Sequence, residues 1–301
     1  MRISRRAFVA ASAAAAATPA EQTNLASRVC LFTDHLAGFS YVEVARMLKD
    51  LGVSGPDLTV RRGGLVAPER VASELPKAAE ALLEHSLSIP MITTTITSAQ
   101  DPLTRGILEA ASKLGIRYYK LGYFPYKDMA RWRETIDAAR GSLRELAKVS
   151  GSLDLRAGMH NHAGDSVGCS LWDSWDAMQE VDANRVGFYF DPAQATIEGG
   201  KNGWNLNFRR VAPRIFMVAI KDFVWEKTAQ GWRTRWVPLG EGVVNWSSFF
   251  PLLRATPFPG PISLHIEYDP GGATKNERYD RSVTAAAKDL QFLKRNLAAV
   301  A

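Results

Sequence analysis

A chain of 301 residues that is 46% hydrophobic and 23% charged is long for an ordinary domain but usual for an α/β barrel. Its formal charge of +6 is scattered without a basic stripe, which argues against a nucleic-acid binder. No stretch beyond residue 20 is apolar and long enough to span a bilayer, so stable membrane insertion is not expected.

The first segment, "MRISRRAFVAASAAAAATPA", has a basic start, a mildly apolar Ala-rich stretch and a small-residue end at Ala20. It reads as a cleavable signal peptide over residues 1–20, leaving a mature domain over 21–301. Arg5-Arg6, with Ser4 before and Phe8-Val9 after, resembles the twin-arginine export motif, which implies a periplasmic or secreted protein. Arg2, Arg5 and Arg6 lie in this segment and no acid does, so cleavage lowers the net charge to about +3. Cys30 and Cys169, the only cysteines, fall on different elements and read as free thiols even in an oxidising compartment.

From residue 28 onward, short apolar runs alternate with amphipathic segments. "RVCLFT" (28–33) reads as a strand and "FSYVEVARMLKDLG" as a helix, opened by a Ser40/Glu43 capping box and closed by Gly52. "PDLTV" (56–60) is the second strand, followed by a helix over 68–85. "IPMITTTIT" (89–97) is the third, with a helix from Asp101-Pro102 to Leu114. "IRYYKLGY" (116–123) and "LDLRAGMHN" (153–161) are the fourth and fifth, separated by a long helix near 128–149. "RVGFYFD" (185–191), "IFMVAIKD" (215–222) and "PISLHIEY" (261–268) complete the set, with helices near 171–180, 205–210, 246–254 and 279–297. Eightfold strand–helix alternation predicts a single-domain (β/α)8 TIM barrel. A doubly wound sheet is the alternative, but no Gly-rich phosphate turn follows an early strand.

In such a barrel, function sits at the C-terminal ends of the strands. Strand two ends in Asp57, Thr59 and Arg61, strand five in His160 and His162, and strand six in Asp191. Strand seven ends in Lys221 and Asp222, strand eight in His265 and Glu267. Ionisable groups at inward strand positions cost free energy unless paired or metal-bound. His, Asp and Glu from separate strands suit a divalent ion such as zinc, manganese or cobalt. An ion there would acidify a C–H beside a carbonyl. The expected metal ligands are His160, Asp191 and Glu267, with Glu267, His162 and Lys221 as proton-moving or oxyanion-holding groups. A buried salt bridge between Lys221 and the two acids is the structural alternative. Arg61, Lys120 and Trp225 are expected to contact substrate; Trp204 could also stack on a sugar ring. His35 is a possible mouth residue and His265 a supporting one.

The chain resembles the xylose isomerase-like barrels, which include sugar phosphate isomerases/epimerases, ketose 3-epimerases, inosose dehydratase and an apurinic endonuclease branch. The resemblance is carried by "GVSGPDLTV", "MHNHAG", "GFYFDPAQA", "AIKDF", "PLGEGVVNW" and "SLHIEYD", in that order, over nearly all of the mature chain. It implies one divalent ion held by a strand-five Glu, strand-six Asp, strand-seven His and strand-eight Glu. Asp191 and Glu267 match; the strand-five position holds His160, and the strand-seven position holds Ala219, which cannot coordinate. A further His of the family pattern is Gln194 here, so the implied metal would be weakly held or lost.

The expected function is an exported sugar isomerase or epimerase acting by metal-assisted proton abstraction beside a carbonyl. A dehydratase (lyase) on the same substrate class and a degenerate carbohydrate-binding barrel are the alternatives. Sugar phosphates are scarce outside the cytoplasm, so a neutral or oxidised sugar is favoured. The expected partner is a small-molecule carbohydrate and not nucleic acid; a homo-oligomer is left open.

Overall fold

The computed structural model describes residues 25–298. The expected signal peptide and twin-arginine pair lie outside the described residues. Eight parallel strands close into a barrel: β1 (Val29–Phe32), β2 (Pro56–Thr59), β3 (Met91–Thr93), β4 (Tyr118–Lys120), β5 (Arg156–His160), β6 (Val186–Phe190), β7 (Ile215–Ile220) and β8 (Ile262–Leu264). Each pairs with its neighbours in sequence and β8 closes on β1, with Cys30 opposite Ser263. The strands run shorter than their apolar runs because pairing stops where the polar mouth begins.

The helices are α1 (Tyr41–Leu51), α2 (Val71–Leu83), α3 (Pro102–Lys113), α4 (Trp132–Ser152), α5 (Leu171–Ala177), α6 (Pro192–Val211), α7 (Trp246–Ala255) and α8 (Lys275–Ala298). The capping box at α1 forms in full, and Gly52 ends the helix in the left-handed region at φ 62°. Asp101 caps α3 through Leu103 N–H, with Pro102 at its first turn. Among the described helices, none is long and apolar enough to cross a membrane.

Two regions depart from the reading of the sequence. α6 begins at Pro192, directly after β6, rather than near residue 205; the Gly-rich stretch 199–203 hides a helix that continues through a break at Gly200. Between β7 and α7, Asp222–Thr228 and Gly231–Val237 form an antiparallel hairpin where no element was expected. Cys30 is buried and Cys169 half-buried; both are free.

Alternation along each strand decides what reaches the barrel axis. Met217 and Ala219 lie inside the barrel with Cys30, Met91 and Tyr189. The next residue of that parity on β7 is Lys221. The same step of two leads from Tyr189 to Asp191, from Tyr118 to Lys120, and from Ser263 through His265 to Glu267.

Candidate active site

These side chains open on a cavity of about 600 Å³ at the C-terminal mouth, lined among others by Arg61, Lys120, Tyr123, His160, His162, Lys221 and Glu267. At this mouth lies an ion cluster. Lys221 Nζ lies 2.8 Å from Glu267 Oε1 and 3.3 Å from Asp191 Oδ2. His160 Nε2 is 3.2 Å from the same Asp191 oxygen, so the expected trio does converge.

Protonation follows from burial and partners. Burial pulls the His160 imidazole down to about 3, outweighing the nearby Asp191. The ring is therefore neutral: Nε2–H donates to the carboxylate, and Nδ1 accepts the Tyr123 hydroxyl at 3.3 Å. Burial is the largest influence on Asp191 and Glu267 and opposes their ionisation, yet Lys221 together with His160 at one and His265 at the other outweighs it, and both carboxyls are held below their ordinary range. Burial opposes the Lys221 charge too, and the two carboxylates overcome it, raising the ammonium above its usual value.

Asp191 also works for the fold. Its Oδ1 accepts the Gln194 N–H at the start of α6, and its backbone exchanges two hydrogen bonds with the Asn161 side chain. Gln194 Oε1 accepts the Ala163 N–H, so the asparagine and the glutamine together fix the "HNH" loop. His162 lines the cavity with Nδ1 2.7 Å from its own loop's Ala163 oxygen, which leaves Nε2 as the lone-pair nitrogen. Burial first, then Lys221, lowers its pKa.

Behind Glu267 a polar chain runs into the barrel. His265 Nδ1 is 3.2 Å from Glu267 Oε1, and His265 Nε2 is 2.8 Å from the Tyr189 hydroxyl. That hydroxyl donates to Asp57 Oδ2 at 3.0 Å, which also accepts from Ser263, while Thr93 donates to the other oxygen. Phe32 stacks on His265 at 4.2 Å. His265 is thus the support that the sequence suggested, and Asp57 sits beneath the mouth rather than on it.

On the opposite wall stands Lys120, 4% exposed, with Nζ 3.8 Å from the centre of the Tyr123 ring. No carboxylate lies within 4 Å of it among the described residues. Burial, then repulsion from Arg61 and Lys221, brings its amine down to about 7. Arg61 lines the cavity and is ion-paired with Asp34.

Trp225 does not join the mouth. It stands farther out along the hairpin, on the face it shares with Phe223, 45% exposed, and lines a separate cavity of about 380 Å³ with Trp204, Val243 and Asn245. Distance along the hairpin explains the miss: Phe223, Trp225 and Trp236 share one face, but Phe223 at the base is buried and Trp236 reaches Lys221 with its ring centre 4.4 Å from Nζ, whereas Trp225 lies two residues farther out. Asp222 is likewise structural, accepting from the backbone N–H groups of Phe223, Gly240, Gly242 and Val244 and from Trp246 Nε1. The sequence reading passed over Tyr123 and Tyr189. Tyr189 was open to it, two residues before Asp191 and so on the same inward face. His35 lines the mouth with neither ring nitrogen hydrogen-bonded, and burial pulls it to about 4.

The implied divalent ion does not fit these residues. Its three expected donors surround an ammonium, the strand-seven donor position is the buried methyl of Ala219, and the His160 nitrogen that faces Asp191 carries a proton. Among the described residues, no group of three His, Cys, Asp or Glu is arranged to hold a metal.

Solved structures share the fold at low identity. The D-allulose 3-epimerase of Methylomonas sp. is 16% identical, covering 90% of this chain and 98% of its own, with a TM-score of 0.68. A probable 3-DHS dehydratase, AsbF, from Bacillus anthracis is 15% identical over 89% of this chain and 98% of its own, with a TM-score of 0.67. A xylose isomerase-like barrel from Mycobacterium smegmatis, solved with magnesium, is 14% identical over 90% and 96%, with a TM-score of 0.67. No curated protein matches the chain. The xylose isomerase-like TIM barrel family matches residues 36–296, and with that match over a closed eight-stranded barrel the chain belongs to this family.

Proposed function

We propose that the chain is a sugar isomerase or epimerase that moves a proton beside a carbonyl, working with protein groups at the barrel mouth. The observation that carries this reading is the pairing of two unlike lysines around one cavity. Lys221 is a fixed ammonium, the group needed to stabilise an enolate-like oxygen as it forms. Lys120, at about 7, is a base matched to neutral pH. Lys120 extends from β4 and Glu267 follows β8, strands that face each other across the barrel.

The low pKa of Glu267 decides against it as the first base: a carboxylate so strongly held is a weak proton acceptor. Its roles are to lock Lys221 and to accept hydrogen bonds from substrate hydroxyls. Lys120 takes the proton and, as an ammonium, returns it to the enolate-like intermediate, while neutral His162 accepts a hydrogen bond from a substrate hydroxyl through the Nε2 lone pair. Arg61 holds a polar or anionic end of the substrate. As an exported enzyme, its substrate is a neutral or oxidised sugar rather than a sugar phosphate.

The test is proton NMR in heavy water with D-allulose, D-tagatose and 3-keto-glucosides. Deuterium entering at a carbon beside the carbonyl, rising with pH through about 7 and lost in Lys120→Met, is expected. Exchange unaffected by Lys120→Met removes that lysine from the chemistry, and no exchange across the panel favours a carbohydrate-binding barrel. Loss of a hydroxyl as water, rather than simple exchange, would identify the dehydratase branch.

A further inference from the structure

The groups expected to hold an ion are in place, and the point they enclose is filled by the chain itself. We infer that Lys221 is a built-in cation standing where a divalent metal would bind, so that the wild-type mouth excludes such ions and holds a latent metal site beneath the lysine. The inference is independent of which sugar the mouth accepts, because it concerns the ion and not the reaction.

Three observations carry it. Geometry comes first: Nζ bridges Glu267 Oε1 at 2.8 Å and Asp191 Oδ2 at 3.3 Å. A metal bound to both oxygens at about 2.0–2.2 Å would need the place the ammonium occupies. Charge comes second. Asp191 is wholly buried and the Lys221 side chain is 2% exposed, so their pairing is weakly screened and an incoming dication would meet a fixed positive neighbour. The donor set comes third. Ala219, one inward step below Lys221 on β7, offers no lone pair, and the Trp236 ring covers the ammonium from another side.

Removing the ammonium should therefore uncover the site. Two carboxylates left facing one cavity repel each other, and a divalent cation relieves that repulsion, with His160 Nε2 as a third donor once the ring proton moves to Nδ1.

The experiment uses the full mature chain, exposed to manganese or zinc chloride, desalted, and assayed for metal per chain by mass spectrometry and for melting temperature. Wild type is expected to retain no stoichiometric ion. Lys221→Met, and more strongly Lys221→Met with Ala219→His, should retain close to one ion, bind it at least about tenfold more tightly, and melt higher in its presence. One ion per wild-type chain, lost in Asp191→Ala, would overturn the inference. So would a Lys221→Met protein that folds and binds no more metal than wild type. If Lys221→Met folds only when manganese is added, and sodium does not substitute, the gain is shown by folding itself. If it folds under neither condition, the wild-type measurement decides alone.

Discussion

Lys120 and Lys221 are two buried lysines lining one barrel mouth, 4% and 2% exposed, and they behave in opposite ways. On the β6–β8 side, Lys221 meets two carboxylates that overcome the cost of burying its charge. On the β4 side, Lys120 meets an aromatic face and two positive neighbours, and its charge is disfavoured. Burial alone does not set the state of a lysine; the partners at its tip do.

The largest expected effect comes from emptying the first environment. In metal-free buffer at pH 7, Lys221→Ala should cost about 3–5 kcal/mol in urea unfolding, because Asp191 and Glu267 lose the charge that compensates them. Their folded pKa values are depressed, so the stability they contribute is present above the unfolded carboxyl range near 4 and is lost as pH falls through the folded values. The gap between wild type and variant should accordingly close in acid. A gap that stays constant down to pH 2 would mean that lost packing, not charge, is what the variant measures.

The second environment predicts the reverse sign. Lys120→Met should stabilise the fold by about 2 kcal/mol at neutral pH while abolishing exchange. A folded pKa of about 7 against an ordinary value near 10.5 means that the wild-type penalty is full below pH 7 and disappears as pH rises toward 10.5. Urea midpoints across that interval check the slope. A smaller effect should come from Arg61→Ala, which removes the stronger of the two repulsions on Lys120. Its amine should rise, readable by NMR of the lysine side chain. Least of all, Trp225→Ala should change stability by less than about 0.5 kcal/mol and leave exchange at the mouth intact.

Much of this was legible in the chain. Alternating apolar runs gave all eight strands, and the step of two along each strand brought His160, Asp191 and Glu267 to one place. The occupant of the centre was harder to read. A pattern says that Lys221 points inward, but only packing shows that its four-carbon stem ends between the acids, so the buried salt bridge weighed as an alternative is what forms. The hairpin escaped because "DFVWEKT" and "GWRTRWV" mix charged and aromatic residues, and only Phe223 and Val237 at its base give a core signal. Trp225 was misplaced with it: without the ribbon, nothing in the sequence shows that the chain carries Trp225 outward from Phe223 and away from the mouth.

The five donors gathered on Asp222 also have a meaning for how this barrel can change. They pin the root of the hairpin and the far end of its return loop to a single carboxylate next to Lys221. Residues 225–234 therefore form an appendage whose tip can be lengthened, shortened or exchanged while its base stays clamped. A family built on this arrangement can diversify one rim of the barrel without retuning the chemistry at its floor.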